Sequence, residues 1–274
     1  MNEALSSIED VKIIFDVGAN VGTTVKRWRV AFPAAKIFAF EPISTTFRML
    51  REKTRTMAGV RCFRVALSDT GGEGIMRAVP GGVCNRLLTD TDARPSHVQN
   101  VLITTGDAFC SENHIEQIDF LKIDAEGNDL KVLHGFRNML TERRVRFVQV
   151  ETGVNFDNHT HVNLVEFLKF FHEMGYGLVE LYDPVRRNPP KKMRQRGMYF
   201  ANALFAAEDL SDREQKLANK EARLVRRAAR AEVVNARQLV GPRWAQTWFT
   251  RLLSGIQEIF RTSPIRAKSR NALH

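Results

Sequence analysis

Acidic side chains follow several short apolar runs of this chain, at positions where they could bind a polar ligand or accept a proton. Asp16, Glu41 and Asp124 each follow such a run, and Glu151 ends another. These runs are typical of buried β-strands. Because the carboxyl ends of parallel strands meet at one edge of a sheet, we expect the carboxylates to face a single crevice.

Two of the acids carry specific expectations. Glu41 lies about 20 residues beyond a glycine-containing turn, where an acid can bind a ribose diol through its two oxygens. It could instead cap the helix that begins near Ser44. Asp69 could accept a hydrogen bond from an adenine amino group, or it could begin the turn into Gly71 and Gly72. The sequence does not decide between the two roles of Glu41 or between the two roles of Asp69.

The segment KIIFDVGANVG, residues 12–22, must position the first of these acids. Its apolar run predicts a strand, its small residues predict a tight turn, and Thr23 and Thr24 predict hydroxyl caps for a following helix. Gly18 and Asn20 tolerate positive φ, and unpaired N–H groups at such a turn could bind a ligand. The dinucleotide pattern G-x-G-x-x-G is not matched, since Asn20 occupies its second glycine. We therefore predict a cofactor turn without a pyrophosphate pressed on it.

The remaining elements alternate along the chain. Strands are predicted over residues 36–40, 60–67, 102–105, 118–124 and 147–150, and helices over 44–53 and 130–140. This alternation favours an α/β fold with a doubly wound, mostly parallel sheet. Between Gly74 and Val101 the periodicity fails, so we interpret this stretch as a substrate-facing loop. Asp107 is predicted to be a helix N-cap.

Composition limits the class of protein. The chain has 274 residues, 43% of them hydrophobic, which is enough for one sizeable core. Its apolar runs are shorter than the roughly 18 residues of a membrane-spanning helix, and its N-terminus does not resemble a signal peptide. Three widely spaced cysteines predict neither a disulfide framework nor a zinc site. A reducing cytoplasm is therefore expected.

The net charge of +10 is unevenly distributed. Residues 1–185 carry 21 basic and 24 acidic side chains, whereas residues 186–274 carry 20 basic and 7 acidic ones. We therefore expect any contact with nucleic acid or an anionic surface to involve the C-terminal part.

Five segments together resemble the FkbM family of S-adenosylmethionine-dependent O-methyltransferases: DVGANVG, FAFEP, ALSD, DFLKIDAEGNDLKVLHG and VET. The match covers roughly residues 13–151, and KIDAEG with its leucine-rich helix is the most distinctive part. The resemblance implies a Rossmann-like methyltransferase fold, with a mostly parallel seven-stranded sheet whose last strand is antiparallel. Residues 176–182 and 198–206 would supply the last two strands.

The resemblance also implies a role for each candidate in cofactor binding. Asp16, Gly18, Asn20 and Gly22 would lie around the methionine part of S-adenosylmethionine. Glu41 would bind the ribose. Asp69 would lie near the adenine.

Methyl transfer to a hydroxyl requires in-line positioning and a proton acceptor. The candidates for the catalytic group are Asp124, Glu126, Glu151, His159 and His161. One carboxylate could be the base, or Asp124 and Glu151 could bind Mg²⁺ and lower the pKa of the acceptor hydroxyl. A histidine could also take the proton, because imidazole titrates near neutral pH.

Residues 207–274 are predicted to form a basic helical extension of a methyltransferase domain at residues 1–206. Leucines recur at heptad spacing in residues 207–240, which would pack on their own domain or form a homodimer. Residues 243–261 carry an apolar face flanked by arginines, which indicates contact with a membrane surface or with a partner. We expect a cytoplasmic protein that contacts the inner face of a membrane peripherally.

The expected function is O-methylation of a sugar, glycan or glycolipid hydroxyl, with a small-molecule or secondary-metabolite hydroxyl as the alternative acceptor. A dehydrogenase using NAD would need the fuller glycine pattern. A third interpretation is a non-catalytic interaction protein whose basic tail binds an acidic surface. Nucleic acid is not an expected partner of the core, since acidic strand ends would repel phosphate.

Overall fold

The computed structural model describes residues 10–78, 85–88, 96–154, 158, 160–187 and 197–207. The strands are β1 (Ile13–Val17), β2 (Lys36–Phe40), β3 (Val60–Phe63), β4 (Ala66–Leu67), β5 (Gly72–Arg77), β6 (Val98–Thr104), β7 (Ile118–Ile123), β8 (Val145–Gly153), β9 (Tyr176–Arg187) and β10 (Gly197–Ala207). The helices are α1 (Thr23–Ala31), α2 (Ser44–Thr54), α3 (Gly106–Glu112), α4 (Asp129–Gly135), α5 (Arg137–Thr141) and α6 (Leu164–Met174).

Seven strands form the main sheet, in the order β3-β2-β1-β7-β8-β10-β9. Neighbours from β3 to β8 are parallel, whereas β10 is antiparallel to both β8 and β9. The strand that comes last in the sequence therefore lies between two earlier ones and runs against them. The predicted Rossmann-like fold, with its antiparallel last strand, is confirmed.

The central strands are buried on both faces, which explains their continuous apolar runs. On one face, Phe15 of β1 packs with the rings of Phe109 and Phe136, whose centroids lie 5.8 and 6.1 Å away. On the other face, Ile14 shares a core with Trp28 of α1. Helices α1 and α2 cover this second face, and α3 to α6 cover the first.

A small second sheet interrupts the expected pattern. Its strands lie in the order β4-β6-β5, and the predicted strand over residues 60–67 is divided between β3 in the main sheet and β4 in the small one. The loop predicted for residues 74–101 is partly wrong, because β5 and β6 occupy its two ends. Their pairing is non-local, and glycines at 72 and 74 hide the apolar alternation.

Two capping predictions are wrong. Helix α1 begins after Gly22, which adopts a left-handed conformation, and no side chain caps it. Thr105, rather than Asp107, caps α3 through its hydroxyl. Asp107 instead accepts hydrogen bonds from the backbone N–H groups of Asn138 and Met139 at 2.9 and 3.0 Å. It therefore caps α5, a helix about 30 residues further along the chain.

Residues 208–274 lie outside the described residues, and with them the predicted homodimer segment and the 243–261 membrane segment. Strand β10 continues to Ala207, one residue beyond the predicted domain boundary. Of the helices in the described ranges, none is long and apolar enough to cross a membrane.

Candidate functional site

A cleft that is partly open to solvent lies at the carboxyl ends of β1, β2 and β7. The predicted site residues that line it are Gly18, Asn20, Glu41, Asp124 and Glu126. Its apolar wall is formed by Val17, Phe40, Val65, Leu67, Met76 and Leu87. Glu41 and Asp124 thus face the same cleft, as parallel strand ends require.

The turn after β1 forms one side of the cleft. Gly18, Asn20 and Gly22 have positive φ angles of 76°, 48° and 83°. At Gly18 a side chain would overlap the carbonyl group of Asp124, so only glycine lets this turn approach β7 so closely.

The sequence predicts unpaired N–H groups in this turn, but the N–H groups of four of its residues donate hydrogen bonds within the protein. The N–H groups of Gly18 and Ala19 donate to the carbonyl of Phe40, at 3.1 and 2.9 Å. The N–H of residue 20 donates to a carboxylate, and that of residue 22 to the carbonyl of Ala19. The N–H groups of these four turn residues are therefore already paired with other groups of the protein.

Glu41 lies at the end of β2 and is only 7% exposed. One of its oxygens accepts a hydrogen bond from Asn20 N at 3.1 Å, and the other accepts one from Ile43 N at 2.9 Å. Ile43 is the N-cap residue of α2, so Glu41 supports this helix start and lines the cleft at once. Burial raises the pKa of Glu41 to about 7, although the two backbone hydrogen bonds oppose the shift. Each oxygen keeps a second lone pair for a ligand hydroxyl.

Lys122, a residue that the sequence analysis missed, bridges two of the predicted acids. Its Nζ lies 3.3 Å from Asp16 Oδ1 and 3.2 Å from Asp124 Oδ2. Burial alone would lower the pKa of Lys122, but the charges of Asp16 and Asp124 raise it above its usual value. A charged residue inside the buried strand IDFLKI was the available signal.

Asp16 is fully buried and is not among the residues that line the cleft. Apart from the ion pair with Lys122, neither of its carboxylate oxygens has a hydrogen-bond partner among the described residues. In this structure Asp16 acts on the cleft through Lys122, which in turn holds the carboxylate of Asp124.

The loop between β7 and α4 forms the opposite side of the cleft. Asp129, which is 3% exposed, accepts hydrogen bonds from Ala125 N at 3.2 Å and Gly127 N at 3.0 Å. These bonds stabilise a tight turn in which Glu126 and Gly127 have φ angles of 52° and 92°. A left-handed glutamate is uncommon, and here it lets Glu126 line the cleft.

Glu126 has the electrostatic properties of a proton acceptor. Partial burial, then the negative charges of Asp124 and Glu151, raise the pKa of Glu126 to about 7, and the nearby His161 partly opposes this. A group with that pKa can take a proton near neutral pH and release it again.

Glu151 and His161 form a hydrogen-bonded pair at the end of β8. His161 Nε2 lies 3.0 Å from Glu151 Oε2, and Nδ1 lies 3.0 Å from Asn158 Nδ2. The ring also stacks on Phe200 at 4.5 Å. Burial alone would lower the pKa of His161, but its hydrogen bond to Glu151 and the charge there raise it. Both ring nitrogens thus have partners, and the pair is not among the residues lining the cleft.

Two predicted residues, Asp69 and Gly22, lie apart from this arrangement. Asp69 is exposed, accepts a hydrogen bond from Ser68 Oγ at 3.0 Å, and is not among the cleft-lining residues. Gly22 lies at the start of α1, where a side chain would press on Leu50. His159 lies outside the described residues.

The predicted Mg²⁺ ligands have different partners. Asp124 pairs with Lys122, and Glu151 pairs with His161. Across the described ranges, no group of three or more His, Cys, Asp or Glu side chains is arranged to hold a metal ion. The magnesium prediction therefore gains no support from these residues.

Comparison with known proteins identifies the family. The profile of the Methyltransferase FkbM domain matches residues 16–178. This chain belongs to the FkbM methyltransferase family. The FkbM-family resemblance predicted from the sequence motifs is thereby confirmed.

Two relatives of this FkbM-family chain are named as methyltransferases. Hexuronic acid methyltransferase AglP of Haloferax volcanii is 27% identical over 152 residues, which cover 55% of this chain and 61% of AglP. 2-O-methyltransferase NoeI of Sinorhizobium fredii is 28% identical over 153 residues, which cover 51% of this chain and 62% of NoeI. The chain thus spans about three fifths of the length of these relatives.

Among solved structures, TrmK of M. capricolum in complex with S-adenosyl-homocysteine is similar to this chain. The TM-score is 0.44 at 11% identity, with 94% of this chain and 97% of TrmK covered.

Proposed function

We propose that this FkbM-family protein is an S-adenosylmethionine-dependent O-methyltransferase that modifies a hydroxyl of a sugar, glycan or glycolipid. The observation that carries the proposal is the convergence of Glu41, Asp124 and Glu126 on one cleft at the sheet edge. Membership of the FkbM family supports the reaction. The names of AglP and NoeI support the acceptor class.

The cleft lining fits S-adenosylmethionine. The buried carboxylate of Glu41 would accept hydrogen bonds from the ribose hydroxyls, and Leu67 and Met76 offer an apolar surface to the adenine. Asp124 and Glu126 place negative charge where a positively charged sulfonium would be stabilised. The cofactor, when bound, would supply a methyl carbon for attack by a nucleophilic oxygen, with the carbon–sulfur bond breaking and S-adenosylhomocysteine leaving.

The turn residues and Asp69 keep more limited roles in this proposal. Gly18 and Asn20 line the cleft and would lie against the methionine part of the cofactor. Gly22 and Asp16 would act from behind the cleft, Gly22 by starting α1 and Asp16 by holding Lys122. Contact between Asp69 and the adenine stays a prediction.

We assign removal of the acceptor proton to Glu126. Its carboxylate lines the cleft, and its pKa of about 7 suits a base at neutral pH. As the acceptor oxygen bonds to the methyl carbon, the hydroxyl proton would pass to Glu126. The negative charges of Asp124 and Glu151 make Glu126 more basic, so the Glu151–His161 pair supports the base rather than replacing it.

The test uses the full chain, S-adenosylmethionine with a labelled methyl group, and oligosaccharides with and without uronic acids. We expect label on carbohydrate, and Glu126→Gln should lower kcat about 10²- to 10⁴-fold with S-adenosylhomocysteine affinity retained within about threefold. Glu173→Gln, which changes an exposed acid on α6, is the matched control and should behave as the parent.

Three results would contradict parts of this proposal. If Glu151→Gln abolished turnover while Glu126→Gln did not, the proton would go to the Glu151–His161 pair instead. If NAD bound and S-adenosylhomocysteine did not, the methyltransferase proposal would fail. Methylation of a non-carbohydrate hydroxyl alone would replace the acceptor class and leave the reaction intact.

A further inference from the structure

Residues 23–64 are strongly basic, although residues 1–185 taken together are nearly neutral. They contain ten lysines and arginines but only two acids. Of these acids, Glu41 is buried in the wall of the cleft, and Glu52 is paired with Arg55 at 3.0 Å. The segment forms α1, β2, α2 and β3, so its cations are collected at one end of the main sheet.

Helices α1 and α2 lie on the same face of that sheet. Each joins two neighbouring parallel strands, and right-handed crossovers in one direction place both helices on one side. Their buried residues Val25, Trp28 and Leu50 belong to one core, and a side chain at Gly22 would touch Leu50. The outward sides of the two helices therefore form one surface.

That surface combines cations with exposed apolar side chains. Lys26 and Arg27 on α1 and Arg48 and Arg51 on α2 are exposed, and none of them has an ion-pair partner among the described residues. Two apolar residues lie on the same helices. Val30 is 75% exposed and Met49 is 52% exposed.

We propose that this surface docks on an anionic lipid bilayer. We call it the basic face and define it by Lys26, Arg27, Val30, Arg48, Met49 and Arg51. The cations complement lipid phosphates, and each lysine or arginine near such a surface increases binding about fivefold. Aliphatic side chains among those cations can enter the interfacial layer of the bilayer.

The exposed apolar residues favour lipid over nucleic acid as the partner. Single-stranded nucleic acid is held by exposed aromatic side chains on which bases stack. On α1 and α2 the aromatic residues are buried or half-buried, as Trp28 and Phe47 are, and only the aliphatic Val30 and Met49 project.

The charge of the remaining domain would orient the docked protein. Outside residues 23–64, the first 185 residues carry 11 basic and 22 acidic side chains. An anionic surface attracts the basic face and repels the remainder of residues 1–185, so within these residues one orientation is preferred.

Docking in this orientation would bring the cleft close to the bilayer. Thr46, in the first turn of α2, lines the cleft, and Arg48 follows on the same helix. A lipid-linked acceptor could then reach the cleft without leaving the membrane surface. This last step rests on the proposed function, whereas the docking itself does not.

The test is flotation of the full chain with phosphatidylcholine vesicles that contain or lack phosphatidylglycerol. Arg27→Gln/Arg48→Gln should reduce binding to the anionic vesicles at least about tenfold, since two fivefold contributions are lost. The matched control is Lys131→Gln/Arg137→Gln, which removes two exposed cations from α4 and α5 on the opposite face. It should change binding less than about threefold.

A second variant separates a bilayer from any other polyanion. Val30→Ser/Met49→Ser keeps every charge, and it should bind the anionic vesicles more weakly than the parent while binding single-stranded RNA equally well. The proposal would be overturned if Arg27→Gln/Arg48→Gln and Lys131→Gln/Arg137→Gln lost vesicle binding equally. It would also be overturned if the serine variant bound the anionic vesicles as tightly as the parent. Affinity for S-adenosylhomocysteine should be unchanged in all three variants, so failure of docking would leave the proposed function standing.

Discussion

The affinity for S-adenosylhomocysteine should depend on the protonation state of Glu41. This carboxyl is 7% exposed, and burial raises its pKa to about 7. In the proposed complex the ribose hydroxyls would donate hydrogen bonds to the ionised carboxylate, so binding would favour the ionised form. Binding below that pKa must therefore release a proton, and the affinity must fall as the solution becomes more acidic.

The magnitude follows from the pKa. At about one pH unit below it, roughly one molecule in ten carries an ionised Glu41, so the apparent Kd should be about tenfold weaker than at its plateau. This corresponds to about 1.4 kcal/mol. Above a pH of about 8 the Kd should be constant, because nearly every Glu41 is already ionised.

Titration calorimetry between about pH 6 and pH 8, in two buffers of different ionisation enthalpy, would measure both the Kd and the released proton. Glu41→Gln should remove most of the pH dependence and weaken binding about 10- to 100-fold at the plateau, the range for a lost charged hydrogen bond. Glu126→Gln is the matched control, because Glu126 also lines the cleft with a pKa of about 7. The Glu126→Gln protein should retain the part of the pH dependence of the Kd that comes from Glu41.

Two results would refute this reasoning. One is a parent Kd that stays constant over the whole pH range. The other is a Glu41→Gln protein that binds as tightly as the parent and with the same slope. Either result would mean that the carboxylate does not hold the diol.

Three further predictions concern stability and the base. Gly18→Ala should lower the urea midpoint by the equivalent of about 2 kcal/mol or more and also weaken S-adenosylhomocysteine binding, because its Cβ would overlap the Asp124 carbonyl at a positive φ. Asp107→Ala should cost about 1 kcal/mol in thermal unfolding through the lost cap of α5, with cofactor affinity unchanged; a weakened affinity would contradict its purely structural role. Glu151→Gln should move the acidic limb of the kcat/KM profile to lower pH, since it removes a charge that raises the pKa of Glu126, and an unmoved limb would argue against Glu126 as the base.

The stability of the unbound protein should also depend on pH. Glu41 and Glu126 both have a pKa raised to about 7 in the folded state, against about 4.5 unfolded. The folded state then binds more protons at these two groups than the unfolded state does between these values, so their contribution to stability is fully present below about 4.5 and is lost as pH rises through about 7. Urea denaturation across this range would test the sign, and a stability that rose toward pH 7 would contradict it.

The sequence by itself determined the fold class and the edge of the sheet at which the cleft lies. Parallel strands buried on both faces need continuous apolar runs, and those runs are visible without a structure. Each run ends at the same edge, so Glu41 after β2 and Asp124 after β7 could be assigned to one rim, whereas Asp16 lies within β1 and does not line the cleft. Glu41 is the clearest case, because its distance from the turn already predicts its place.

Only the tertiary structure decided which partner each of these acids has. Lys122 pairs with both Asp16 and Asp124, and Asp107 caps a helix far along the chain. Such contacts join residues that chain packing alone brings together, so no local pattern of spacing or propensity reports them. The small sheet was only partly predicted: the strands expected over residues 60–67 and 102–105 overlap β4 and β6, whereas β5 and the pairing of the three strands were missed, because that pairing is non-local.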